Sequence, residues 1–246
     1  MMDGLQFDPS EAGYALALDG EPLAAFGCWL SSYALGEAKP VTSIGEMPGR
    51  AGGIDQTLEG PCGEALPERR ECEFVIAAHG TDPIRAMTRL GRLAGRTVEV
   101  FVRELNVSLL GRLSVGAWDV AGISTCTLTL NAEPYALGEV KTSTGSVVVE
   151  GSAWAEPTFD ITVKTARPNV DLMLDGLRAM RVPSASGSFA VGARITVDSS
   201  AHTVKVNGNL ACPTLDSEWP VLTPGAHTVS CEGCDALVSW RERYMF

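Results

Sequence analysis

The chain has no run of about eighteen apolar residues, so no helical membrane span is expected. Histidine is scarce: His79, His202 and His227 are the three in 246 residues, each set apart at a strand or turn edge. No Ser-His-Asp set has a recognisable sequence context, and Gly-x-Ser-x-Gly, P-loop, HExxH and GxGxxG patterns are all missing. Acidic residues abound, but none forms a local pair of the glycosidase kind. These absences argue against an enzyme and against a bound cofactor. Positive charge is also short, with 19 Lys and Arg against 30 Asp and Glu and a net charge of −11, which argues against a general nucleic-acid surface. The first residues, Met1-Met2-Asp3-Gly4-Leu5-Gln6-Phe7-Asp8, lack the basic and apolar regions of a secretory signal.

Cysteine is present in an odd number, seven. Without a signal peptide, this suggests reduced thiols made in a cytosol. Cys231-Glu232-Gly233-Cys234 is a lone CxxC, half of a zinc site at best; Cys212 and His227 could complete four ligands. A tight turn between two short strands accounts for Gly233 equally well.

What remains is a folded, β-rich chain. Its composition is 45% hydrophobic and 20% charged, with no long polar tract, enough for one large domain or two ordinary ones. Residues 1–139 read as strands around one helix. Ile123–Leu130 alternates, with β-branched residues on both faces. The helix starts at Thr81-Asp82-Pro83, capped by Thr81 or Asp82. Ile84, Met87, Leu90 and Ala94 form its apolar face, and Gly95 is a plausible stop. Residues 140–246 show no helix but many short strands between turns such as Asp175-Gly176 and Asn207-Gly208, the pattern of a sandwich or jelly roll. The small, polar join 138–145 places the domain boundary there. Acidity concentrates in the first part, with 10 Lys and Arg against 19 Asp and Glu through Glu139, and 9 against 11 from Val140 onward.

Two local features are candidate contact sites. Pro48-Gly49-Arg50-Ala51-Gly52-Gly53-Ile54-Asp55-Gln56-Thr57 is a glycine-rich turn between strands. Glycines 49, 52 and 53 permit positive φ and close backbone approach, and Arg50 and Asp55 can pair across the turn or bridge to a neighbouring subunit. The turn lacks the Lys and following helix of a phosphate loop. Arg85, Arg89, Arg92 and Arg96 line the helix outside its apolar face, as a solvated surface or a dock for an acidic neighbour. Trp154, Trp219 and Trp240 could stack on sugars, although core packing is the commoner role of tryptophan.

The order of elements resembles the distal tail protein family of long, non-contractile phage tails. The resemblance runs through the Trp29 strand, Pro48-Gly49-Arg50 to Gly53-Ile54-Asp55, Arg69-Arg70-Glu71-Cys72-Glu73-Phe74, Gly95-Arg96-Thr97-Val98-Glu99-Val100, Gly111-Arg112-Leu113-Ser114-Val115 and Ala132-Glu133-Pro134-Tyr135. It continues through Ile195-Thr196-Val197-Asp198, Val206-Asn207-Gly208 and Trp219-Pro220-Val221-Leu222-Thr223-Pro224-Gly225. It implies a mainly β protein, with a split-barrel-like N-terminal domain carrying one helix and a C-terminal galectin-like β-sandwich. It further implies a homo-hexameric ring in the virion tail tip, made in the host cytoplasm. Its partners would be the tail-tube protein, the tip hub and the tape measure protein, and DNA would pass through without specific binding. Ring contacts are expected at Pro48, Gly49, Arg50, Gly53, Asp55, Arg85, Arg89 and Arg92. The second domain lacks an Arg, Asn and His cluster around a Trp, so galectin-like shape does not imply galectin activity. Two other readings are another tube or baseplate ring subunit, and a carbohydrate- or receptor-binding module at the host surface.

Overall fold

The computed structural model describes residues 9–46, 52–78, 83–120 and 122–246. The chain divides into a first unit of Met1–Gly60, Glu64–Leu137 and Met245–Phe246, and a second of Pro61–Gly63 and Gly138–Tyr244. The protein is mainly β.

The first unit runs α1 (Pro9–Ala12), β1 (Leu16–Leu18), β2 (Glu21–Pro22), a 3-10 turn (Leu23–Phe26), β3 (Cys28–Leu35), β4 (Ile44–Gly45), β5 (Ile54–Asp55), β6 (Arg70–Ala78), α2 (Pro83–Gly91), β7 (Thr97–Val102), β8 (Val107–Asp119) and β9 (Ser124–Ala132). Its main sheet is antiparallel in the order β2-β1-β7-β8-β9-β6-β3. The two-residue alternation decides which face is core. In β9, Cys126, Leu128, Leu130 and Ala132 are buried, while Thr125, Thr127 and Thr129 are only partly covered. Val98, Val100 and Val102 of β7 repeat the pattern.

Helix α2 departs from the spacing argument. Ile84 is 71% exposed and Ala94 is also exposed, whereas Ala86 and Leu90 are buried and Met87 is half-buried. The helix ends at Gly91 rather than Gly95, so Ala94 lies beyond it. Its inner line is set by the small Ala86 together with Leu90, against the 3-10 turn and β8. The caps expected at Thr81 and Asp82, and His79, lie outside the described residues.

β10 (Ala136–Ser143) begins in the first unit and continues in the second, so most of the join expected at 138–145 is strand. The second unit adds β11 (Ser146–Val149), β12 (Thr158–Val163), β13 (Asn169–Leu174), β14 (Leu177–Pro183), β15 (Arg194–Asp198), β16 (Thr203–Val206), β17 (Asn209–Ala211), β18 (Gly225–Ser230) and β19 (Cys234–Tyr244). One sheet has the order β17-β16-β15-β12-β19-β10 and the other β11-β18-β13-β14. Phe159, Ile161, Ile195, Val197 and Val238 of the first sheet share one buried cluster with Val147, Val170, Leu172, Met180, Val182 and Val229 of the second. That shared core makes the unit a β-sandwich. Thr214 N–H donates to the Arg181 carbonyl (3.0 Å) and Glu218 N–H to the Ala179 carbonyl (2.8 Å), so a loop covers the open edge of β14 against stray strand pairing.

The sandwich buries a carboxylate together with its donors. Glu242 is 1% exposed. Its carboxylate accepts from Gly151 N–H (2.6 Å), Trp240 Nε1–H (3.0 Å) and Lys141 Nζ (3.2 Å). Burial opposes its ionisation, but these donors outweigh burial and hold its pKa below the ordinary value.

Candidate functional site

Between β3 and β6 the chain leaves the main sheet and folds on itself. Ile44 pairs with Asp55 and Gly45 with Ile54. Val41 N–H donates to Leu66 C=O (3.0 Å), Leu66 N–H to Leu58 C=O (3.0 Å), Gly60 N–H to Glu64 C=O (2.7 Å) and Glu68 N–H to Lys39 C=O (2.8 Å). The result is a narrow three-ply ribbon, here called the arm. No described residue of 39–69 is buried. Ile44 and Leu58 are 70% and 74% exposed, and Val41 is half-exposed. A ribbon held mainly by backbone hydrogen bonds is marginal in water. Aliphatic side chains displayed along one mark a surface that gains by being covered.

The described part of the glycine-rich turn, residues 52–57, runs into β5 of the arm. Gly52 has φ +86°. A Cβ on Gly53 would collide with the Ile44 side chain across the ribbon, so both sequence-stated uses of glycine, positive φ and close approach, occur here. Asp55 Oδ1 accepts from Thr57 N–H at 2.9 Å, and Thr57 Oγ1 accepts from Ser43 N–H at 3.1 Å. The Thr57 hydroxyl and N–H hold the Asp55 carboxyl below the usual range. Asp55 therefore shapes the ribbon while remaining exposed. Pro48, Gly49 and Arg50 lie outside the described residues.

The arginines of α2 do not behave alike. Arg89 donates to the Ala25 carbonyl, lies 3.6 Å from Glu21 Oε2 and covers the Phe26 ring at 5.2 Å. It fastens α2 to the 3-10 turn within its own chain. Arg85 is exposed on α2, whereas Arg92 and Arg96, expected on the helix, lie past its end at Gly91 and are exposed.

The remaining candidates fall into the sandwich. Trp240 is buried, Trp154 lies under the Arg243 guanidinium at 4.8 Å, and Trp219 is half-buried with the His202 ring 5.0 Å away. His227 Nδ1 faces Asp175 Oδ2 and Nε2 faces the Thr223 carbonyl, both at 2.7 Å. Both neighbours present oxygens that can accept, so the contacts favour the doubly protonated ring. Burial works against that charge, and the Asp175 carboxylate and Thr223 carbonyl overcome it to raise the pKa. Among the described residues no group of three or more His, Cys, Asp or Glu is arranged to hold a metal ion, so the four-ligand set with Cys212 and His227 is not assembled. The exposed aliphatics of the arm were missed by sequence reasoning. Their signal is Pro and Gly density from Gly36 to Pro67 around isolated Val41, Ile44 and Leu58.

Comparison with known proteins bears on this arrangement. Residues 150–244 match the family described as siphovirus-type tail component, C-terminal domain. The crystal structure of SPP1 Dit (gp 19.1), described as a paradigm of the hub adsorption apparatus in phages infecting Gram-positive bacteria, is similar in fold, with TM-score 0.74 and 19% identity over 93% of this chain and 98% of that one. The phage p2 baseplate in its activated conformation with Sr gives TM-score 0.45 and 10% identity over 87% and 90% of the two chains. No curated protein matches.

Proposed function

We propose that this chain is a siphovirus tail component of the distal-tail type, a reading supported by the family match at residues 150–244 and by the shared fold, and that its copies close into a hexameric ring in the hub of the tail tip. The ring joins the tail-tube protein to the tip hub, and the tape measure protein and then DNA occupy its channel. The role is geometric: one heterologous contact repeats until the ring closes, with no catalytic step.

The observation that carries this reading is the arm. Its exposed Val41, Ile44 and Leu58 have the chemistry of a surface completed by a neighbouring copy. Gly53 and Asp55 shape its ribbon, with Pro48, Gly49 and Arg50 beside them in sequence as further contacts. Arg85 and Arg92 are assigned to the same interface. Arg89 is assigned to seating α2.

The polar face of the first unit's main sheet is assigned to the channel. Glu71 lies opposite Asn131 and Glu73 opposite Thr129 in register, and both carboxylates are exposed. An acidic wall repels the DNA backbone and lets it slide. The second unit, with its three tryptophans packed or half-buried, is assigned to the outside of the ring as a structural domain.

Negative-stain electron microscopy of the purified chain, alone and mixed with the tail-tube protein, tests the proposal. Six-fold rings with a central hole are expected. Monomers under both conditions would sink it.

A further inference from the structure

The CxxC sequence is not used by the interface, and the fold gives it a specific place. β18 belongs to one sheet of the sandwich and β19 to the other, so residues 231–234 are the corner where the chain crosses between them. Cys234 N–H donates to Cys231 C=O at 3.2 Å, which closes a four-residue β-turn. Such a turn brings its end Cα atoms within about 7 Å, and a disulfide spans about 4.4–6.8 Å. Gly233 has φ +62°, and a Cβ there would meet the Arg167 guanidinium at 2.8 Å. Lys164 and Thr165 N–H both donate to the Gly233 carbonyl, at 2.9 and 3.0 Å, pinning the turn to the end of β12. Cys231 is buried in the sandwich core and Cys234 is half-exposed.

We infer that Cys231 and Cys234 are a redox-closable staple, a dithiol that a low-molecular-weight disulfide converts to an intrachain disulfide across the sheet-to-sheet corner. The inference is independent of the ring. Cys234, the accessible partner, attacks one sulfur of the small disulfide as its thiolate; that S–S bond breaks and one small thiolate leaves. Cys231 then gives its proton to water and attacks the Cys234 sulfur. The protein S–S bond forms and the second small thiolate departs, so two protein thiols are oxidised and one small disulfide is reduced. Burial, with the neighbouring Cys234, pushes the Cys231 thiol up to about 12, and the Arg167 guanidinium acts in the opposite direction. Cys231 is therefore the slow, resolving partner.

The test treats the reduced full chain with oxidised glutathione and follows each cysteine by peptide mass. The peptide spanning 231–234 should lose two hydrogens and carry no adduct, while exposed Cys62 and Cys212 retain glutathione. The denaturant midpoint should rise and return on adding dithiothreitol. In Cys231→Ser, Cys234 should retain the adduct. A lasting glutathione adduct on wild-type Cys234, a bridge from Cys234 to Cys212, or no change at either residue would overturn the inference. Cys234→Ser, which leaves the buried position intact, provides a second check: no gain in midpoint on oxidation is expected, and the wild-type gain persisting would overturn it.

Discussion

The sandwich and the arm are built on opposite terms. In the sandwich, two sheets bury one another's inner faces, and its buried carboxylate, Glu242, is saturated with donors. In the arm, backbone pairing is retained but none of its described residues is buried. Burial of apolar surface is the main stabilising term in folding. The sandwich thus holds its stability within itself, whereas the arm's aliphatic side chains gain burial only through association. The difference separates residues that decide whether the chain folds from residues that decide what it assembles with.

The comparison can be broken most forcefully in the core. Phe159→Ala, at a fully buried site, should cost about 3–5 kcal/mol in denaturant unfolding. Glu242→Ala strips the Gly151 and Trp240 N–H groups of their acceptor and should cost about 3 kcal/mol, with the buried donors left unmet. If either change were silent, the sandwich would not be the self-sufficient part.

A smaller effect comes from His227. Its folded pKa is raised above the unfolded value of 6.5. The contribution is therefore complete below pH 6.5 and is lost as pH rises through the folded value. The denaturant midpoint should fall across that window by about 1 kcal/mol of stability, the order of one hydrogen-bond pair. His227→Gln should flatten the dependence. A profile unchanged by that substitution would place the titration elsewhere.

The least effect on folding is expected in the arm, and there the comparison sharpens. Ile44→Ser should alter monomer stability by no more than about 0.5 kcal/mol and yet abolish rings in the microscope. Rings that survive Ile44→Ser and Leu58→Ser together would remove the arm from the interface. Separately, Glu71→Lys with Glu73→Lys should slow genome ejection from assembled virions, and an unchanged rate would reject the acidic channel wall.

Much of this architecture was legible in the residues. The alternation of Ile123–Leu130 marks β9, and short strands spaced by Asp175-Gly176 and Asn207-Gly208 mark a sandwich. Those patterns are local, set by the two-residue period and by the backbone demands of tight turns. The inner line of α2 was not legible. Ile84 fits the helical spacing, but packing of Ala86 and Leu90 against the 3-10 turn and β8 leaves it exposed. The CxxC was readable as a turn, but not as a corner between sheets.

The sequence alone determined the class of protein: β-rich, acidic, without catalytic patterns, and ordered like a distal tail protein. It did so because strand period, turn chemistry and charge are properties of neighbouring residues. Only the tertiary structure decided that β18 and β19 part into different sheets, that Arg89 is held within its own chain, and that the arm is bare. Those outcomes depend on which distant surfaces meet and exclude water, and no local pattern encodes that choice.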